Sequence, residues 1–288
     1  MPDTAHPTIA RWRGGRAREW AAAALHPLFR LLNRPSMAWF GHAAYDFALR
    51  CNGIAINFRG RHGLTAAEEA LLARIAPGLA GGVVLDVGAN EGSYALELAR
   101  LAPSARIIAF EPHPRTFARL AARLAGQPDA GRVETLNLAL GDAPGTLELH
   151  DFAAAEGSTQ ASLSRDAVAL YGEGTVAHPV EVTTLDRFLE ARGIERVAFL
   201  KVDTEGFDLR VLHGAQKAIA ERRIAMIQFE FIAANIATRV RMRDFFEALP
   251  GYRIHRLCLN GALLPLHPYS VKRTEIYVNQ NLIALPAA

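Results

Sequence analysis

In the run Asp86-Val87-Gly88-Ala89-Asn90-Glu91-Gly92, an acid and two glycines stand just past an apolar stretch and just before a helical one. Glycine at 88 and 92 lets the backbone pass close to a ligand where a β-carbon would clash. The helix that follows offers free N–H groups, and Asp86 can accept from a ligand ammonium. Glu111 ends the next apolar stretch, where an acid can take both hydroxyls of a ribose. Together they point to an adenosine-type cofactor at two successive strand ends. A dinucleotide fingerprint wants glycine at its first, third and sixth positions. Counted from Gly88 these are Gly88, Asn90 and Ser93, so an NAD-dependent reductase is disfavoured. A looser turn with alternating glycines after an acid, and no pyrophosphate to cradle, suits S-adenosylmethionine (SAM). Here it reads Gly88, Asn90 and Gly92, and asparagine is the best substitute where φ is positive.

These residues need a sheet to hold them. From Val83 onward, short apolar segments alternate with helical ones: strands at 83–87, 106–110 and 133–136, helices at 93–101 and 114–124. Strands without polar alternation, separated by helices, describe a parallel sheet covered on both faces. Further strands are predicted at 197–202, 224–229, 252–257 and 275–278, with helices at 208–220 and 241–249. Between 142 and 182 the pattern fails. Four glycines, Pro179 and Ser158-Thr159-Gln160 read as a hairpin followed by a long loop, an insertion of a size often functional. Upstream, residues 1–50 read as helical, with a break at Pro35 and apolar spacing through Trp20, Ala24, Leu28, Leu31 and Leu32. A short strand is predicted at 54–58, then a helix begun by Thr65 with Glu68 in capping-box spacing. The expected organisation is a helical extension over 1–80 and a catalytic α/β domain over 81–288, with 142–182 as its hairpin and substrate loop.

The chain has 288 residues, half of them hydrophobic, enough to bury a sizeable core. No stretch has the length and freedom from charge of a spanning helix, and the opening segment does not read as a secretory leader. Cys51 and Cys258 form no metal spacing or disulfide framework. They are expected as buried thiols in a reducing, cytoplasmic setting. From Met1 to Gly82, ten arginines face five acids. With no aromatic-interleaved basic patch read beside them, a solvated helical face is preferred over a contact with nucleic acid or a membrane.

The chain resembles the FkbM-type family of SAM-dependent methyltransferases from about Asn52 to Leu285. The resemblance is carried by the 86–92 run with Ser93-Tyr94, by Phe110-Glu111-Pro112, and by Asn137-Leu138-Ala139-Leu140-Gly141-Asp142. It continues through Leu200-Lys201-Val202-Asp203-Thr204-Glu205-Gly206-Phe207-Asp208, Val211-Leu212-His213-Gly214-Ala215, and Gln228-Phe229-Glu230-Phe231. It implies an α/β fold: a Rossmann-like class I methyltransferase sheet, mostly parallel, of seven strands with one antiparallel near the C-terminus. It implies O-methylation of a hydroxyl on a sugar, glycan or polyketide-type natural product, with residues 1–50 outside it. On that reading Asp86, Gly88, Asn90 and Gly92 hold the methionine end of SAM and Glu111 the ribose. Asn137 and Asp142 flank the adenine, although Asp142 reads equally well as a turn residue. Methyl transfer to an alcohol needs positioning and a base. Asp203 is the first candidate, either as the base and a SAM contact or as one ligand, with Glu230, of a divalent metal such as Mg2+. Glu205 reads as a cap of the next helix and Lys201 as a buried cation paired with a carboxylate. His150 is a further candidate base, and 158–165 a lid whose Arg165 grips an anionic acceptor. A SAM-binding domain without turnover and an RNA methyltransferase remain alternatives.

Overall fold

The apolar segments assemble as strands because neither of their faces can remain in water. A computed structural model describes residues 16–153, 157–158, 160–172 and 174–287; Asp3, Arg11, Arg13 and Thr159 of the sequence reading lie outside them. The strands are β1 (Val83–Val87), β2 (Arg106–Phe110), β3 (Val133–Leu136), β4 (Ala139–Leu140), β5 (Gly145–Phe152), β6 (Thr175–Thr183), β7 (Phe199–Val202), β8 (Ile227–Phe231), β9 (Tyr252–Leu257), β10 (Leu263–Pro265) and β11 (Gln280–Pro286). Eight of them form one sheet in the order β10-β9-β11-β8-β7-β1-β2-β3. β3, β2, β1, β7 and β8 run parallel, and β11 lies antiparallel between β8 and β9. Six of the seven expected strands are present, the segment 275–278 is not a strand and its place in the sheet is taken by β11, and β10 folds back on β9 at the edge. Strand order reverses at β1, flanked by β2 and β7, and open α/β sheets bind ligands at the carboxyl ends beside such a point.

Alternation along each strand sends side chains to two cores. Leu85, Val87, Leu200 and Val202 join one cluster; Val84, Ile107 and Phe199 join the other, under the helices Ala66–Ile75 and Ser93–Leu101. The capping box is formed: Thr65 Oγ1 accepts from the Glu68 N–H, and the Glu68 carboxylate accepts from the Thr65 N–H. Residues 54–79 pack into the second core through Leu72 and, through Ile56 and Leu71, into a smaller cluster with Leu257 and Ile283. Of Ala38–Cys51, only Leu49 is buried.

Several local expectations are corrected. Residues 54–58 form no strand: Ala55 has φ 54°, and the segment's only pairing is a bridge from Arg59 to Thr65. Ile54 and Ile56 are buried as the pattern requires, but they pack without a ladder. The last strand begins at Gln280, because Glu275 accepts from the N–H groups of Met242 and Arg243 (3.0 Å each) and holds its segment against that helix. The expected helix over 208–220 divides at Gly214-Ala215 into Asp208–His213 and Gln216–Ala220. Within 142–182 the hairpin strands β5 and β6 lie at the two ends, in a three-stranded sheet with β4, and the loop with its short helix Arg165–Ala169 lies between them. Cys51 is exposed and Cys258 half-buried, so the thiols are not core residues.

Candidate functional site

Register places Asp86 of β1 opposite Lys201 of β7, and Lys201 opposite Gln228 of β8. A polar row therefore crosses the otherwise apolar face beneath helix Ser93–Leu101. The Lys201 ammonium lies 3.6 Å from Asp86 and 2.9 Å from Asp203, and 4.8 Å from the centre of the Tyr94 ring. Burial alone would pull that ammonium's pKa down; Asp203 and Asp86 outweigh it and hold the group charged, well above its ordinary value. Burial pushes the Asp86 carboxyl up, with Lys201 opposing. The Tyr94 hydroxyl donates to Gln228 (2.6 Å), Gln228 donates to Asn281 (2.8 Å), and Asn281 donates to Glu230 (3.1 Å). The Tyr94–Gln228–Asn281–Glu230 chain is continuous, whereas the buried Asp86 oxygens have the Lys201 charge beside them but no hydrogen bond.

Above the row, at the carboxyl ends of β1, β2 and β7, a cavity of about 780 Å³ opens. Gly88 and Asn90 form one wall with φ of 80° and 49°, both left-handed as their residue types allow. A β-carbon on Gly88 would stand 1.8 Å from the Asp203 carbonyl oxygen, so glycine lets the two strand exits touch. Glu111 faces the cavity while accepting from the N–H groups of Asn90 (2.9 Å) and His113 (2.8 Å). Burial raises its pKa to about 7 despite those bonds. Asn90 Oδ1, in the cavity wall, is buried with no hydrogen-bond partner. A ligand donor would satisfy it.

Leu138, Leu140, Phe110 and Pro112 supply the apolar walls, and Ser158, Ser162 and Leu163 of the 142–182 loop cover the cavity. Asp151 pins this loop: it accepts from the N–H groups of Gly157 and Ser158 and from the Ser158 hydroxyl. Burial pulls the Asp151 carboxyl up, but those donors outweigh it and leave its pKa below the ordinary value. The Ser162 hydroxyl donates to the Glu205 carbonyl (2.9 Å), tying the loop to the turn after β7.

A second hollow of about 700 Å³ lies alongside, lined by Tyr171, Glu205, Glu230 and Tyr277 among others. Glu205 lines both hollows. It does not cap the next helix. No side chain caps that helix; Asp208, its first residue, ties the preceding turn to β8, accepting from the Thr204 N–H (3.3 Å) and hydroxyl (2.9 Å) and from the Glu230 N–H (3.2 Å). Among the described residues the Glu205 carboxylate has no hydrogen bond or ion pair. Burial, then the Asp203 and Asp208 charges, raise its pKa to about 8. Burial and the same neighbours push Glu230 well above its ordinary value, and Asp208 rises to about 6.

The other expected site residues separate. Asp203 lines the first cavity with its carboxylate bonded to Lys201. Asp86 is fully buried below the turn and does not line it, so it meets Lys201 in place of a ligand. Gly92 starts helix Ser93–Leu101 against Leu120. Asn137 donates to the carbonyls of Glu111 and Pro112 (2.8 Å each), fastening strand exits behind the cavity. Asp142 pairs with Arg210 at 3.0 Å outside it, the behaviour of a turn residue. His150 is not brought to either hollow: its neighbour Leu149 faces the cavity, so alternation turns His150 away. Arg165 is exposed on its short helix and lines neither hollow. No group of three or more His, Cys, Asp or Glu side chains among the described residues is arranged to hold a metal ion. Asp203 lines the first cavity and Glu230 the second hollow, so the two carboxylates do not line one hollow together.

The model of the methyltransferase FkbM domain matches residues 86–254. Methyltransferase sdnD of Sordaria araneosa is 32% identical over 156 residues, 46% of this chain and 60% of that protein. The 2-O-methyltransferase NoeI of Sinorhizobium fredii is 27% identical over 181 residues, 60% of this chain and 72% of its own. The hexuronic acid methyltransferase AglP of Haloferax volcanii is 28% identical over 146 residues, 51% of this chain and 55% of its own. The chain thus spans little more than half the length of two of these relatives.

Proposed function

The chain belongs to the FkbM methyltransferase family, and from that premise we propose that it is a SAM-dependent O-methyltransferase acting on a hydroxyl of a sugar, glycan or polyketide-type natural product. The observation that carries this reading is the meeting of two hollows at Glu205, one of them edged by Glu111 and the Gly88–Asn90 turn. The first suits the cofactor. Glu111 takes the ribose hydroxyls, Asn90 Oδ1 gains the donor it lacks, and Phe110, Pro112, Leu138 and Leu140 enclose the adenine. The bound cofactor supplies an electrophilic methyl on a sulfonium. The second hollow suits the acceptor, and the relatives named for 2-O-methylation and for hexuronic acid methylation support a sugar hydroxyl.

The chain's own tasks are to orient the hydroxyl, exclude water and take one proton. Glu205 stands where the hollows join, and its raised pKa makes it a stronger base than an ordinary carboxylate. We assign it the proton, with Glu230 beside it on the acceptor side. Asp203, the choice made from sequence, has its carboxylate bonded to Lys201 and serves by raising the basicity of its neighbours. Calorimetry with SAM, together with turnover assays of Glu205→Gln and Asp203→Asn, tests this. Glu205→Gln should bind SAM and lose turnover. If it turns over normally while Asp203→Asn is dead, the base is Asp203; if wild-type protein does not bind SAM, the whole reading falls.

A further inference from the structure

Several large apolar side chains on the helices Arg16–Leu32 and Ala38–Cys51 stand in water. Leu25, Leu28 and Phe29, which share a helical face with Leu32, are 46%, 46% and 52% exposed. Phe40 and Phe47, seven residues apart on the second helix, are 42% and 70% exposed, and Trp39 is 65% exposed. Single exposed apolar residues are ordinary on a protein surface, but six large ones on two consecutive helices mark an interaction surface. The aromatics stand among the basic residues that the sequence reading treated as a plain solvated face. From 16 to 61 the chain carries seven arginines (16, 18, 30, 34, 50, 59 and 61) against Glu19 and Asp46.

That charge selects the occupant. A second copy would bring two surfaces of the same sign together, whereas an anionic lipid surface offers an apolar layer and negative headgroups side by side. No helix among the described residues is long and apolar enough to cross a membrane, but an amphipathic helix with aromatic and leucine side chains and flanking arginines lies in the interface. Arginine stems can cover apolar surface while their heads reach phosphates. We propose that the helix pair 16–51 seats this protein on the surface of a membrane containing anionic lipid. The proposal does not depend on the methyl-transfer reading.

The chain contains its own probe, since all three tryptophans (12, 20 and 39) belong to this N-terminal segment. The full chain is mixed with vesicles of phosphatidylcholine alone, or of phosphatidylcholine with phosphatidylglycerol, at low and high salt. Sedimentation and tryptophan emission are then read together. Co-sedimentation and a blue shift are expected with the anionic vesicles, both weakening as salt rises. The double variant Arg30→Gln, Arg34→Gln should partition about 25-fold less. Trp39→Ser with Phe47→Ser should also release the protein, and because these side chains are exposed, its thermal unfolding midpoint should stay that of wild type. Failure to bind anionic vesicles overturns the proposal, whether light scattering shows a dimer or a monomer. Equal binding to neutral vesicles, or salt-sensitive binding to RNA with none to lipid, overturns it as well.

Discussion

Replacing Glu205 by Gln should make the ligand-free protein more stable above neutral pH and flatten its pH dependence. The ordinary pKa of the group is 4.5, and in the fold it is raised to about 8 by burial and by Asp203 and Asp208. The folded chain therefore binds this proton more tightly than the unfolded chain. The resulting stabilisation is complete below about pH 4.5 and is lost as pH climbs through about 8. Each pH unit in that window is worth about 1.4 kcal/mol per proton, which gives an unscreened ceiling of about 5 kcal/mol. Glu205 keeps some contact with solvent, and screening reduces the expectation to roughly 2 kcal/mol. Glutamine copies the protonated acid and cannot ionise. At about 2 °C per kcal/mol for a chain of this size, the variant should melt about 4 °C above wild type at pH 8.5 and close to it at pH 5. Thermal unfolding of both proteins across that range is the assay. Parallel slopes for the two would refute the placement of Glu205 against Asp203.

Glu111→Ala should weaken SAM binding by about 100-fold in calorimetry, the loss of two carboxylate hydrogen bonds at about 1.5 kcal/mol each. Gly88→Ala should lower urea stability by roughly 3 kcal/mol or more, since its β-carbon meets the Asp203 carbonyl at 1.8 Å and its φ is 80°. Lys201→Met should cost about 3–5 kcal/mol in the same measurement, because Asp86 is left buried without its cation. Adding Asp86→Asn to Lys201→Met should recover part of that loss; if it recovers nothing, the pair is not the cause.

The turn that edges the first cavity was legible because its signal is local. A strand, a glycine turn and a helix start lie within a dozen residues, and Asn90 adopts the positive φ its type was read for. Glu111 followed from its place at the end of the next strand. Glu205 was missed for the opposite reason. Whether it or Asp208 takes the turn's N–H groups depends on β8, whose Glu230 N–H is also bound by Asp208. The strand expected over 54–58 fails because a ladder needs a partner strand: Ile54 and Ile56 are buried, but Phe58 is 49% exposed. Asn137 and Asp142 stand at a strand exit as expected, yet side-chain bonds to Pro112 and Arg210 turn them from the cavity. The exposure of Phe40 and Phe47 was hidden because helical spacing of apolar residues reads the same on any buried surface.

The acids beside the cavity are placed by the sheet itself. Asp203 continues past Lys201 at the end of β7, and Glu230 follows Gln228 by one alternation along β8, so parallel register sets like charges beside one another. Their burial, and after it their mutual repulsion, raise Glu205 and Glu230 and make their ionised forms a cost in the empty site. A proton or a bound cation offsets it. A sulfonium is such a cation, and the thioether left after methyl transfer is neutral, so the same carboxylates that weaken the empty fold favour donor over product. That preference requires the carboxylates to be ionised. The ratio of SAM to S-adenosylhomocysteine affinity should therefore rise with pH between about 6 and 9, by up to roughly tenfold for the release of one proton. SAM uptake at pH 7.5 should release protons that S-adenosylhomocysteine uptake does not, measurable by calorimetry in buffers of different ionisation enthalpy. A ratio that stays flat with pH in wild type, with no proton released, would mean that the sulfonium does not sit against these acids.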